Sequence, residues 1–331
     1  MNLLTTCVAL VIACTCLSAC SSQRADDPPQ GLDFDELPRP ADVALPERET
    51  YTARDGARLH YRKYSANSRT WLILIHGSAT DSVYLYPLAQ SLAESAAANV
   101  ITPDLRGHGP SPDVRGDIDY IDQLEDDLAD LIAHLRDRAA RGGEIVVGGH
   151  SSGAGLALRF GGSVYGDRAA GYLLLAPYLG HDAPTTRSHS GGWAQPNLTR
   201  IIPIAMANTA GIRWFNGVGV LRFNMPPAQR TGRETLSYSY RLMKGFGPAD
   251  YASDFAAIDA PVLLLAGSDD EAFRSRRYKP AIEPHNAAVD VDIVQGASHL
   301  GLVASDEAAE RAAHWLAEPG SLNDDEEDSR R

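Results

Sequence analysis

The sequence predicts an α/β fold with a mostly parallel, doubly wound sheet, and three observations predict it. Short runs that are apolar on both faces recur along the chain, and stretches with helical spacing lie between them. The composition, 331 residues with 44% hydrophobic and 22% charged, suits one large core. Runs without polar alternation fit interior strands covered on both sides by helices. Strand, helix and strand in alternation is the pattern of a parallel sheet.

The elements follow in order. Residues 51–64 read as a hairpin: Tyr51-Thr52-Ala53-Arg54, the turn pair Asp55-Gly56, then Arg58-Leu59-His60-Tyr61. Apolar runs of strand length come next at 71–75, 99–102, 145–148, 172–175 and 262–266. The run 289–294 alternates instead, which predicts an edge strand. Helices are expected over 84–96, 152–162, 273–282 and 305–316. Another is marked by Tyr120, Ile121, Leu124, Leu128, Leu131, Ile132 and Leu135, with acids between them. Between Leu175 and Val262 the alternation stops and later resumes, so an insertion at about 178–250 is expected rather than a second domain.

The ends read differently. All four cysteines (Cys7, Cys14, Cys16, Cys20) fall in the first 20 residues, so the rest of the chain has no disulfide or thiolate metal site. Residues 3–19 are small and apolar and end in Leu17-Ser18-Ala19-Cys20, a cleavable targeting segment rather than fold. That ending resembles the lipobox of bacterial lipoproteins. The resemblance implies a signal peptide over 1–19, acylation of Cys20 and a lipid-anchored place in the cell envelope, at the periplasmic side of the outer membrane in a Gram-negative cell. An ordinary secretory signal, an uncleaved anchor and a cytosolic start are the alternatives. Residues 20–50, rich in Pro and Asp, are expected to be a flexible tether, and 318–331 an acidic disordered tail.

The net charge of −13 excludes nucleic acid as a partner, since phosphates need clustered Lys and Arg. The charge is uneven. Residues 21–50 carry −5 and 324–331 carry −3, leaving −5 for 51–323. Within that, residues 183–233 contain no acid and six arginines (Arg187, Arg200, Arg213, Arg222, Arg230, Arg233), interleaved with Trp193, Trp214, Phe215 and Phe223. Basic residues mixed with Trp and Phe suit an anionic lipid interface. The alternative is that the arginines pair with acids of the main domain and the apolar residues close a pocket.

The chemistry rests on a few motifs. Gly149-His150-Ser151-Ser152-Gly153 follows a strand and opens a helix of small residues, the context that G-x-S-x-G requires to expose a serine hydroxyl on a sharp turn. A serine needs a base to take its proton, and His299 sits just after the last strand. After 262–266 come Asp269, Asp270 and Glu271, any of which could orient the histidine. His60, His76, His108, His134, His150, His285 and His314 read as loop or face residues. No metal-ligand spacing and no phosphate-binding glycine loop occurs, so no cofactor is expected.

Together with His76-Gly77-Ser78 and Pro103-Asp104-Leu105-Arg106-Gly107-His108-Gly109, these motifs resemble the serine α/β-hydrolases over about residues 51–317. The nearest group is that of the monoacylglycerol lipases, lysophospholipases and S33 aminopeptidases. The resemblance implies an α/β-hydrolase fold with a cap (lid) made by the insertion, and Ser151, Asp270 and His299 as the catalytic triad. It also implies an oxyanion hole from the backbone N–H groups of Ser78 and Ser152. The expected reaction is hydrolysis of a carboxylic ester, lipid-like in character. An S33-type aminopeptidase, a thioesterase and a non-catalytic binding lipoprotein are the alternatives.

Overall fold

The computed structural model of the chain describes residues 31–37, 43–110, 112–138 and 142–317. A hairpin of β1 (Arg48–Thr52) and β2 (Arg58–Tyr64) comes first. Then β3 (Thr70–Ile75), α1 (Tyr86–Glu94), β4 (Asn99–Asp104), α2 (Gln123–Arg138), β5 (Glu144–His150), α3 (Ser152–Gly161) and β6 (Gly171–Leu175) alternate. The insertion holds β7 (Ala194–Pro196), α4 (Leu198–Thr209), β8 (Gly219–Phe223), β9 (Ser237–Ser239) and α5 (Tyr240–Gly245). The chain returns through α6 (Tyr251–Ala256), β10 (Val262–Gly267), α7 (Tyr278–Ile282), β11 (Asp290–Val294) and α8 (Asp306–Ala317).

The central sheet has eight strands in the order β1-β2-β4-β3-β5-β6-β10-β11. Every pairing from β4 to β11 is parallel, while β1 and β2 run antiparallel at one edge. The fully buried run Leu72, Ile73, Leu74, Ile75 and its neighbours Val146, Val147, Leu173, Leu174, Leu264 and Leu265 form the core between the two helical layers. Burial on both faces is why these strands are continuous apolar runs. β11 lies at the edge, and its half-buried side chains match its alternating sequence.

Three expectations change. The stretch expected as a tether is partly structured: β1 begins at Arg48, and residues 31–37 pack on the domain. The helix expected over 273–282 is a 3-10 turn at Ser275–Arg277 followed by the short α7. Its first residues are drawn into a loop because the Ala272 and Phe273 N–H groups bond the Asp270 side chain. The insertion contains a three-stranded antiparallel sheet, β7-β8-β9, whose strands are too short to leave a periodic signal. The signal segment at 1–19 and the acidic tail at 318–331 lie outside the described residues.

Candidate active site

The parallel strands place the loops after β3, β4, β5, β6, β10 and β11 at one edge of the sheet, and those after β3, β5, β10 and β11 carry the candidate site residues. Ser151 follows β5 with φ 58° and ψ −121°, a strained backbone held by its surroundings. The Ser151 N–H donates to the Leu175 carbonyl and its own carbonyl accepts from Tyr178 N–H. The turn is tight enough to exclude side chains on both flanks. A Cβ on Gly149 would sit 2.5 Å from the Gly153 carbonyl carbon, and one on Gly153 would sit 2.3 Å from the Ile75 carbonyl oxygen.

The structure brings Ser151, Asp270 and His299 together, all buried. His299 Nε2 lies 3.0 Å from Ser151 Oγ, and its Nδ1 lies 2.9 Å from Asp270 Oδ2. The other carboxylate oxygen of Asp270 accepts the Ala272 and Phe273 N–H groups at 2.8 and 2.7 Å, which fixes the side chain. Asp269 points away, exposed, and accepts from Ser268 Oγ. Glu271 accepts the His299 N–H at 2.9 Å, so it positions the histidine loop without touching the imidazole.

Electrostatics separate His299 from its neighbours. Burial disfavours its charge, but the carboxylate of Asp270, through its charge and hydrogen bond, and the charge of Glu271 outweigh that and hold its pKa above the ordinary 6.5. His76 is pushed down by burial, His108 by burial and then His76, and His150 by burial and then His299. Of these four histidines, His299 alone is poised to gain a proton.

The neutral histidines serve the loop after β3 instead. Gly77 N–H donates to Tyr84 Oη at 2.7 Å, and Tyr84 Oη in turn lies 2.8 Å from His150 Nδ1. His150 Nε2 reaches the His299 carbonyl at 2.9 Å. On the other side, Ala79 N–H donates to Tyr238 Oη at 2.7 Å, and Tyr238 Oη lies 2.6 Å from His108 Nε2. The N–H groups flanking Ser78 are therefore both committed, leaving the Ser78 N–H between them. Ser152 is the first residue of α3, so its N–H has no acceptor within the helix. The positive end of α3 adds to its pull on an anion.

The Asp104–Gly109 turn is structural here. Asp104 accepts the Ser82 N–H, and Arg106 pairs with Asp127 at 2.8 Å and Asp55 at 2.9 Å. Sequence reasoning missed Tyr84, Tyr238 and the site role of Trp193, whose indole N–H donates to Ser78 Oγ at 3.0 Å. None lies in a motif, and two come from the insertion, so the fold alone brings them in. Glu271, a candidate acid in the sequence, serves the His299 backbone instead. His134 and His285, loop or face residues in the sequence, meet Tyr61 and Tyr251. Cys20, the expected acylation site, lies outside the described residues.

With the geometry in place, comparison gives the family. The sequence profile described as Alpha/beta hydrolase family matches residues 72–314. The chain belongs to this family. This α/β hydrolase is 27% identical over 240 residues to a non-heme haloperoxidase of Rhodococcus erythropolis, covering 66% of this chain and 81% of that one. Two lipases are among the solved structures that share its fold. One is a soluble variant of the monoglyceride lipase of Saccharomyces cerevisiae, with TM-score 0.65, 19% identity, and 85% of this chain and 97% of the other covered. The second is a monoacylglycerol lipase of Paleococcus ferrophilus, with TM-score 0.58, 22% identity, and 78% and 98% covered.

Proposed function

We propose that this α/β hydrolase is a serine esterase acting on lipid-like carboxylic esters such as monoacylglycerols or lysophospholipids. The observation that carries the reading is the line of contacts from Ser151 Oγ through His299 to Asp270, with His299 held above its ordinary pKa. In the first step Ser151 Oγ attacks the ester carbonyl while His299 Nε2 takes its proton. Asp270 keeps the imidazole in the required tautomer and stabilises the imidazolium. The Ser78 and Ser152 N–H groups hold the developing oxyanion, a contribution of about 3 kcal/mol per donor. His299 then returns the proton to the leaving alcohol. Water, deprotonated by the same histidine, releases the acid and restores Ser151.

A lipid-like substrate is supported by the insertion acting as a cap. Its side chains Trp193, Phe223 and Met225 are buried, and Trp193 bonds Ser78 in the loop after β3. Its outer side is also apolar. Leu198, Ile202 and Met206 form an exposed stripe on α4, and the following turn exposes Ile212, Phe215 and Trp214, the last 90% accessible. Among the described residues, Arg233 is the one arginine of the six in an ion pair, with Asp81, while Arg213 and Arg222 are exposed. These features favour a membrane-facing cap, and the Leu17-Ser18-Ala19-Cys20 ending supports a lipid anchor in the bacterial envelope. The test is a series of p-nitrophenyl esters of rising chain length beside aminoacyl anilides. Turnover that favours long acyl esters is expected. Anilide hydrolysis exceeding every ester would overturn the reading in favour of a peptidase.

A further inference from the structure

Residues 31–37 cross the seam between the cap and the catalytic loops. Gly-Leu-Asp-Phe-Asp-Glu-Leu folds on itself first: Asp33 accepts the Asp35 N–H at 2.9 Å, and Leu37 N–H donates to the Phe34 carbonyl. This turns Leu32, Phe34 and Leu37 inward against the core, and the polar groups then reach both banks of the seam.

On the cap side, Gly31 N–H donates to the Gly191 carbonyl and Asp35 accepts from Gln229 Nε2 at 2.8 Å. The Phe34 ring lies 5.6 Å from Trp193. On the catalytic side, Asp33 N–H donates to Glu271 Oε1 at 3.1 Å, and Ser298 Oγ donates to the Glu36 carboxylate. Glu271 and Ser298 adjoin Asp270 and His299, and the second oxygen of Glu271 holds the His299 N–H. Cap and catalytic loop meet at this same point, because a Cβ on Gly191 would lie 2.1 Å from the Glu271 carbonyl oxygen.

We propose that residues 31–37 are a clasp that keeps the cap closed over Ser151 and sets which esters enter. Ser151 is only 9% accessible with the clasp engaged, so a bulky ester needs the cap lifted. Phe34 packs against Trp193 and so ties the clasp to the cap. The clasp's bonds are exposed or half-exposed and few, and a segment held this way opens far more readily than the sheet beneath it. Phe34 and Glu36 are positioning residues that touch neither substrate nor the triad side chains. The inference deepens the esterase reading and rests on it for its activity readout alone.

The test uses the full chain, its double variant Phe34→Ala/Glu36→Ala, and the conservative Phe34→Tyr. Hydrogen exchange of the 31–37 amides is followed beside kcat/KM for p-nitrophenyl acetate and p-nitrophenyl dodecanoate. In the native chain the Gly31 and Asp33 amides should exchange slowly, and in the double variant at the solvent rate. The variant should gain about tenfold in kcat/KM on the dodecanoate, about 1.4 kcal/mol, mainly through KM. The acetate should change less than twofold, and Phe34→Tyr should match the native chain. Solvent-rate exchange in the native chain overturns the clasp, as does a released clasp that leaves both esters unchanged or moves them equally. If the native chain hydrolyses neither ester, the esterase reading is what fails. The clasp is then judged on exchange alone, supported by native protection lost in the variant and refuted without it.

Discussion

At the carboxyl edge of the sheet Asp270 and His299 have fixed, buried partners, whereas in the cap above them Arg213, Arg222 and large apolar side chains stand in solvent. Asp270 is held by two backbone N–H groups and His299, and His299 by Ser151, Asp270, Glu271 and, at its carbonyl, His150. In the cap, Arg213 and Arg222 are exposed beside Trp214 and Phe215. Fixed buried partners preorganise charge for a reaction. Exposed cations among apolar side chains leave charge and apolar area free for a surface that the chain itself does not supply. Among the residues that join the regions from the cap side, Tyr238 and Trp193 bond Ala79 N–H and Ser78 Oγ. The cap thus braces the loop after β3 as well as covering it.

The comparison is broken most severely in the lower region. Asp270→Asn should cost about three to four orders of magnitude in kcat, because the imidazole loses its tautomer and counter-charge. Asp269→Asn should change kcat less than twofold, since among the described residues its carboxylate bonds only Ser268. The pH profile sharpens the point. His299 must be neutral to accept the proton, so kcat/KM should fall as pH drops through a value above 6.5. With Asp270 gone, burial is left opposed by Glu271 alone, and the acid limb of the residual activity should move to lower pH. An Asp269→Asn variant as damaged as Asp270→Asn would mean that the acid has been assigned one residue too late.

The upper region should respond more mildly and to different substrates. In a Cys20→Ser chain, which cannot be acylated there, binding to anionic vesicles should persist and weaken as salt rises. Arg213→Glu with Arg222→Glu should weaken that binding about tenfold or more, at about 1 kcal/mol for each charge near the surface. Hydrolysis of a small soluble ester should stay within twofold. If vesicle binding is absent at low salt, or the soluble ester suffers equally, the outer cap has no membrane role.

The same division governs what was legible in the sequence. The central strands are apolar on both faces, so their positions follow from composition, and the turn at Ser151 is written in Gly149 and Gly153. The residues alone leave the acid open among Asp269, Asp270 and Glu271, the family resemblance implies Asp270, and only the fold shows Glu271 serving the backbone of His299. Tyr84 and Tyr238 carry no motif, since their role exists only where the 3-10 turn Ser82–Leu85, the cap and the β3 loop converge. Residues 31–37 misled most. Their Asp-rich composition reads as a solvated linker, yet their alternation of Leu32, Phe34 and Leu37 with acids packs one side and bonds with the other.

The central claim is that Ser151 is the nucleophile of a serine hydrolase, and covalent labelling tests it most directly. A fluorophosphonate probe added to the native chain, followed by peptide mass spectrometry, should place one adduct on Ser151. Ser151→Ala should lose both the adduct and the esterase activity. An adduct on another residue, or full ester hydrolysis by Ser151→Ala, would contradict the account.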